Sequence, residues 1–226
     1  MQPNLLSNIL IRENVITKEG IDFLLTHMKQ SSKEDLSVFD PDRSNKTRGT
    51  EWVTDKKYRD TQLCPIDPVY PQIQDLMKNI VYNIINPFYE FEIRDSEIPQ
   101  LLHYGVGGHY LPHVDGYAEW MNPDGTKIWR KSVDRDLSFV LYLNNDFEGG
   151  DFVFPNLNIR IRPKPGMMIA FPSTQHYLHG VEPITSGTRY CIVTWMTVKG
   201  FPTMADEEKM FQETYGHLLN EQKAVK

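Results

Sequence analysis

His113 and Asp115 are separated by a single residue, and in an extended strand side chains two apart project to the same face. One imidazole and one carboxylate therefore converge on one point in space. A second imidazole arriving from a distant strand would complete two histidines and a carboxylate on one side of an ion, a set that suits ferrous iron and leaves its other positions open. His179 is the candidate for that second imidazole. Ten residues further on, Arg189 opens the apolar, β-branched run Arg189–Trp195, which reads as a buried strand. A guanidinium at the mouth of such a strand needs an anion. Its planar fork can hold a carboxylate through two parallel hydrogen bonds, which suits a dicarboxylate cosubstrate whose other end chelates the metal.

The elements that must position these residues can be taken in order. Thr17 is placed to cap a helix carrying Ile21, Phe23, Leu24, Leu25 and Met28, spaced as an apolar stripe. Residues 33–67 turn polar and read as loop with one strand near Trp52. Trp52, Tyr58 and Arg59 either line a substrate groove or pack as aromatics and their neighbour on the sheet rim. Pro71 opens a second helix that runs to about Ile85 and is ended by Pro87. Phe88 to Ile93 alternates apolar and charged residues, as a half-exposed strand does.

Short strands then follow at about 98–105, 108–115, 136–144, 151–155, 158–162, 167–171, 178–183 and 189–198, with Gly and Pro between them. Such a succession predicts a mainly β domain with flanking helices, a two-sheet jelly roll or double-stranded β-helix. Residues 116–135 form an unusually long gap in that series and are expected to cover the site as a lid, with Tyr117 and Trp120 near the substrate; a plain hairpin extension is the alternative. A final helix is expected at about 203–220, its acidic first turn complementing the dipole. The whole chain, 1–226, reads as one domain, with 1–97 as support and about 98–198 as the core.

Composition narrows the partners. A net charge of −6 argues against general affinity for nucleic acid or anionic membrane, both of which need clustered positive charge. Cys64 and Cys191 are too few for a disulfide framework and are expected as free thiols. No basic, apolar leader and no apolar run of spanning length is visible, so a cytoplasmic location is expected.

Ordered blocks of the sequence carry a resemblance. Leu101 to Asp115, Asp136 to Asn144, Glu148 to Pro155, Pro163 to Met167, and His179 through Arg189 resemble the 2-oxoglutarate and Fe(II)-dependent oxygenases, most closely their prolyl 4-hydroxylase branch. The resemblance covers about residues 98–198. It implies that His113, Asp115 and His179 ligate Fe(II), and that Arg189 pairs with the distal carboxylate of 2-oxoglutarate. Three protein ligands and no more are needed, since 2-oxoglutarate takes two positions and O₂ the last. His176 competes with His179, but three residues upstream in a strand it faces the other way, and the family spacing to the basic residue fits 179 and 189. Lys164 is a rival to Arg189 but sits in an apparent exposed turn.

By the same resemblance Tyr104 helps hold the cosubstrate and Tyr142 adds a phenol at the same end, although core packing remains an equal reading for Tyr142. Arg189 stands where much of the collagen-modifying branch has Lys. The implied activity is hydroxylation of an unactivated C–H bond with release of succinate and CO₂, supported by ascorbate, with a prolyl residue of a peptide as the expected target. Another residue or a small metabolite as substrate, and a non-catalytic ligand-binding jelly roll, are the alternatives left open.

Overall fold

The computed structural model describes residues 5–36, 38–39, 52–53, 55–122 and 124–224. Side chains of 5–6, 38–39, 52–53 and 217–224 lie outside that description, so the expected groove role of Trp52 falls outside the described residues. Two antiparallel sheets face each other. The larger runs Leu10–Arg12, Met168–Pro172, Leu137–Tyr142, Arg189–Val198, Gln100–Tyr104, Gln62–Cys64 and Glu34–Asp35, with Ile93–Ser96 also paired to Arg189–Val198. The smaller runs Ile159–Ile161, Phe152–Phe154, His179–Val181, His109–His113 and Arg59–Asp60. This is the expected mainly β, two-sheet jelly-roll architecture.

Period-two alternation decides what each face of the larger sheet meets. Leu137, Phe139 and Leu141 point outward into a core with Leu24 and Met28 of the Lys18–Gln30 helix and with Ile73, Met77 and Ile80 of the Tyr70–Ile80 helix. Val140 and Tyr142 point inward, toward Phe152, Phe154, Phe171 and Cys191 between the sheets. The strand Leu137–Tyr142, beside the middle strand of the sheet, is buried on both faces, which suits its nearly continuous apolar sequence. Thr17 does cap the first helix, its hydroxyl accepting from the Gly20 amide at 3.2 Å. Phe23, expected in the apolar stripe, stays exposed.

Four expectations are corrected. The second helix does not stop before Pro87: Tyr70–Ile80 leads into a π-helical turn, Val81–Ile85, and then a further turn, Asn86–Tyr89. Pro87 lies in the first turn of that last segment, where its missing N–H costs little. Phe88 and Tyr89 are therefore helical, Glu90 ends the turn in the left-handed region, and the strand begins only at Ile93. Tertiary contacts override the alternation here: Tyr89 stacks on Phe91 at 5.0 Å, and its hydroxyl donates to the carbonyls of Asn8 and Ala170.

The stretch 116–135 is not an open lid but a hairpin, Tyr117–Met121 against Lys127–Lys131. It is tied to the final helix, Met204–Ala224: Tyr117 donates to Glu207, the Lys131 amide donates to Glu207, and Arg130 pairs with Glu208. Neither Tyr117 nor Trp120 lines the central cavity. Last, the strand expected over 108–115 ends at His113, so Asp115 reaches its place from a bend. Two short strands, Phe147–Gly149 and Ile184–Gly187, pair with each other beyond the expected series. Among the described residues no helix is long and apolar enough to cross a membrane.

Candidate metal centre and anion pocket

His113 and His179 are direct cross-strand partners in the smaller sheet, and residues opposite one another share a face. Their rings lie 4.3 Å apart between centroids. Each ring is fixed the same way: His113 Nδ1 is 2.9 Å from the Leu111 carbonyl and His179 Nδ1 is 2.9 Å from the Tyr177 carbonyl. With Nδ1–H donating to backbone, the Nε2 lone pairs of both rings are aimed at the same point. Gly180 lets the two strands close, since a Cβ there would meet the Tyr110 carbonyl at 2.9 Å.

Asp115 faces both imidazoles, its carboxylate oxygens 3.5 Å from His113 Nε2 and 3.3 Å from His179 Nε2. One donor atom from each of the three residues lies within 4.8 Å of the others. Burial opposes charge on Asp115, yet His179 and His113 outweigh it and hold the carboxyl well below its ordinary value. Burial, reinforced by His179, holds the His113 imidazole below its own. A deprotonated carboxylate and a neutral imidazole are the forms that bind a metal.

Ser138 donates to Asp115 at 2.6 Å and contacts the Ser173 hydroxyl at 2.8 Å, which orients the carboxylate from behind. The bend carrying Asp115 is closed at Gly116, whose amide donates to the Ser173 carbonyl. A Cβ at Gly116 would come within 2.5 Å of the Arg135 carbonyl, so no other residue fits without moving backbone.

Arg189 is 1% exposed and opens the central strand, opposite Tyr104. Its guanidinium lies over Tyr104 at 4.7 Å and Tyr142 at 5.0 Å. Asn144 brackets its backbone, donating to the Thr188 carbonyl and accepting from the Tyr190 amide. Among the described residues, the Nε and Nη1 groups of Arg189 and the Tyr142 hydroxyl are buried with no hydrogen-bond partner. Burial pushes the Tyr142 phenol up, so it stays protonated and able to donate. Buried donors of this kind are costly when unpaired. They are donors of the kind a carboxylate satisfies, and Arg189 lines the same cavity as His113, Asp115 and His179.

The rival residues are placed elsewhere. His176 is exposed, with Gln175 as its neighbour, and Lys164 forms an exposed ion pair with Glu13. Sequence reading missed Ser138, Asn144 and Tyr110, the last stacked on His113 at 3.6 Å. Ser138 carried a usable signal, because it falls four residues before Tyr142 and so on the same strand face. Arg59, left open between groove and rim, does line the cavity.

A family model described as the 2OG-Fe(II) oxygenase superfamily matches residues 99–197. That segment holds every donor just described. That segment, somewhat under half of the chain, is similar to the 2OG-Fe(II) oxygenase superfamily. Among curated proteins, prolyl 3-hydroxylase 2 of Homo sapiens is 36% identical over 86 residues, 34% of this chain and 12% of that protein. The chain thus matches about an eighth of that relative's length. Among solved structures, the collagen prolyl hydroxylase of Paramecium Bursaria Chlorella virus-1, in complex with 2OG, superposes with a TM-score of 0.55 at 17% identity, covering 84% of this chain and 95% of that one. A Pseudomonas putida prolyl-4-hydroxylase gives 0.55 at 18%, covering 85% and 94%. At those identities the likeness shows a shared fold, the jelly roll of prolyl hydroxylases. For the superfamily as a whole, the family name implies Fe(II) as cofactor with 2-oxoglutarate and O₂ as cosubstrates.

Proposed function

We propose that this chain is a 2OG-Fe(II) oxygenase that hydroxylates a prolyl residue of a peptide or protein, at the 4-position, with release of succinate and CO₂. In this reading His113, Asp115 and His179 hold the iron and Arg189 holds 2-oxoglutarate. The observation that carries it is the buried, unpartnered pair of Arg189 and Tyr142 in one cavity with the His-Asp-His set. That pairing fits a diacid whose one end is taken by a guanidinium and whose other end reaches the metal. A ligand-binding jelly roll without turnover leaves the converging Nε2 atoms unexplained.

Each residue then has a task. Arg189, with Tyr104 and Tyr142 packed about it, fixes the distal carboxylate of 2-oxoglutarate and excludes water from that end of the cavity. His113 and His179 present neutral Nε2 atoms, and Ser138 keeps Asp115 turned toward them. When bound, the iron and the keto acid supply the oxidising power that protein side chains lack. Phe152 and Phe171, lining the same cavity, keep its inner wall apolar. Ascorbate as a reductant restoring idle enzyme, and a cytoplasmic location, belong to the same proposal; two buried free cysteines agree with a reducing compartment.

Prolyl hydroxylases among its relatives and structural neighbours favour proline over other residues, and both 3- and 4-hydroxylases are among them. The test is anaerobic loading with Fe(II) and 2-oxoglutarate, then exposure to O₂ with a library of proline-containing peptides, products being read by mass. Peptides gaining one oxygen atom at proline, with one succinate for each, are the expected result. Succinate formed in a cell extract with no product from any proline peptide would move the substrate to another residue or a small metabolite.

A further inference from the structure

The cavity holds a second guanidinium. Arg59 sits on the short edge strand Arg59–Asp60, opposite Tyr110 of the His109–His113 strand, and is 8% exposed. Its guanidinium lies over the Tyr110 ring at 4.5 Å, and that ring in turn stacks on His113 at 3.6 Å. The charge is therefore one aromatic ring away from the candidate metal ligands. Among the described residues Arg59 forms no ion pair, and its Nε is buried with no hydrogen-bond partner. The acids nearest in sequence are engaged otherwise, Asp60 with Lys56 and Asp55 with the Lys57 amide.

Charge balance sharpens the point. The cavity is lined by two guanidiniums, Arg59 and Arg189, and one carboxylate, Asp115, while the imidazoles are neutral when they ligate a metal. A ferrous ion and a doubly negative keto diacid cancel each other, so loading the site leaves one positive charge unmatched. Arg189 is used by the diacid, which leaves Arg59. Keeping a cation largely buried with no anion beside it among the described residues is unfavourable, and the cost is reduced when an anion arrives.

We propose that Arg59 binds a carboxylate of the substrate, carried within a few bonds of the carbon that is hydroxylated. The inference rests on the oxygenase reading and narrows it to a substrate class, one with an acid group beside the target carbon. That group is either the α-carboxylate of a terminal or free amino acid or the side chain of an acidic neighbour, and the guanidinium fork accepts either.

The test is equilibrium binding by calorimetry to protein loaded anaerobically with Fe(II) and saturating 2-oxoglutarate, using acid and amide pairs as probes. N-acetylproline against its amide reads the α-carboxylate. A short Pro-Glu peptide against Pro-Gln, both C-terminally amidated, reads the side chain. N-acetylalanine against its amide is the carrier without proline. In at least one pair the acid is expected to bind about tenfold more tightly, the scale of one charge-assisted contact. In Arg59→Gln that ratio falls to about one, while Arg59→Lys keeps part of it. Equal binding of acid and amide in every pair, absence of binding by any probe, or an undiminished ratio in Arg59→Gln would overturn the proposal. Should Arg59→Gln fail to fold, the native ratio and Arg59→Lys still decide. The prolyl reading is judged separately: alanine carriers binding as well as proline carriers would sink it while leaving the carboxylate contact in place.

Discussion

Arg189 and Arg59 are two buried cations in one cavity, and they are mounted very differently. Arg189 belongs to Arg189–Val198, the middle strand of the larger sheet, paired on both sides, with Asn144 clamping its backbone and two tyrosines about its head. Arg59 belongs to a two-residue strand at the edge of the smaller sheet, with one ring beneath it. A central strand can shift only by unpairing two neighbours, whereas an edge strand opens at lower free energy. On the proposed reading, the group that meets the same diacid in every turnover is built into the core, and the group that meets the substrate sits at the rim.

Substitutions can break that contrast, and the metal end should show the largest effects. His113→Ala, Asp115→Ala or His179→Ala is expected to abolish iron-dependent succinate formation, and His176→Ala to leave most of it. A dead His176→Ala beside an active His179→Ala would reassign the site. Next comes Arg189→Ala, which leaves a buried carboxylate without its partner, at a cost of about 2–5 kcal/mol. The 2-oxoglutarate concentration for half-maximal turnover should rise roughly 30-fold or more. Arg59→Ala should move that requirement far less; an equal rise in both would show that the two guanidiniums share the diacid and that core and rim do not divide the work.

Much of this was legible from residue order. His113, His179, Arg189 and Tyr142 sit on strands, but the resemblance in ordered blocks singled them out as a set, since the period of two left the face of Tyr142 open. What spacing could not show lies where local pattern yields to tertiary contact. Phe88 and Tyr89 alternate with charges as a strand would, yet their rings are worth more packed on Phe91 and the sheet, and they close a helix. Tyr117 and Trp120 looked like a lid because they follow Asp115 directly. Pairing with Lys127–Lys131 and the tether to Glu207 and Glu208 turn them toward the final helix, a partner about ninety residues away that no short window reveals. Arg59 was ambiguous for a similar reason, since only the pairing with Tyr110 brings it into the cavity.

The support beneath the metal end offers a finer test. Ser138 touches Asp115 and no candidate ligand besides, so Ser138→Ala should weaken iron binding by about 10- to 100-fold, the usual scale for a group that orients a ligand, with the 2-oxoglutarate requirement little changed once iron is saturating. A melting curve distinguishes this from collapse of the site. Gly116→Ala, by contrast, forces a Cβ into the Arg135 carbonyl and should lower stability itself, by about 1–3 kcal/mol.

The smallest expected effect is also the one that most closely probes the core-mounted end. Tyr142→Phe removes a hydroxyl that is buried and has no hydrogen-bond partner among the described residues, so its loss should not destabilise the unloaded fold and, by sparing an unsatisfied group, is expected to raise the melting temperature slightly. If the hydroxyl donates to the distal carboxylate beside Arg189, the same change should weaken 2-oxoglutarate binding by about 0.5–1.5 kcal/mol, roughly two- to tenfold. A gain in stability paired with a loss in affinity is the signature of a polar group kept for its ligand. Loss of stability with unchanged 2-oxoglutarate affinity would instead make Tyr142 a packing residue, leaving Arg189 to hold the diacid with Tyr104 alone.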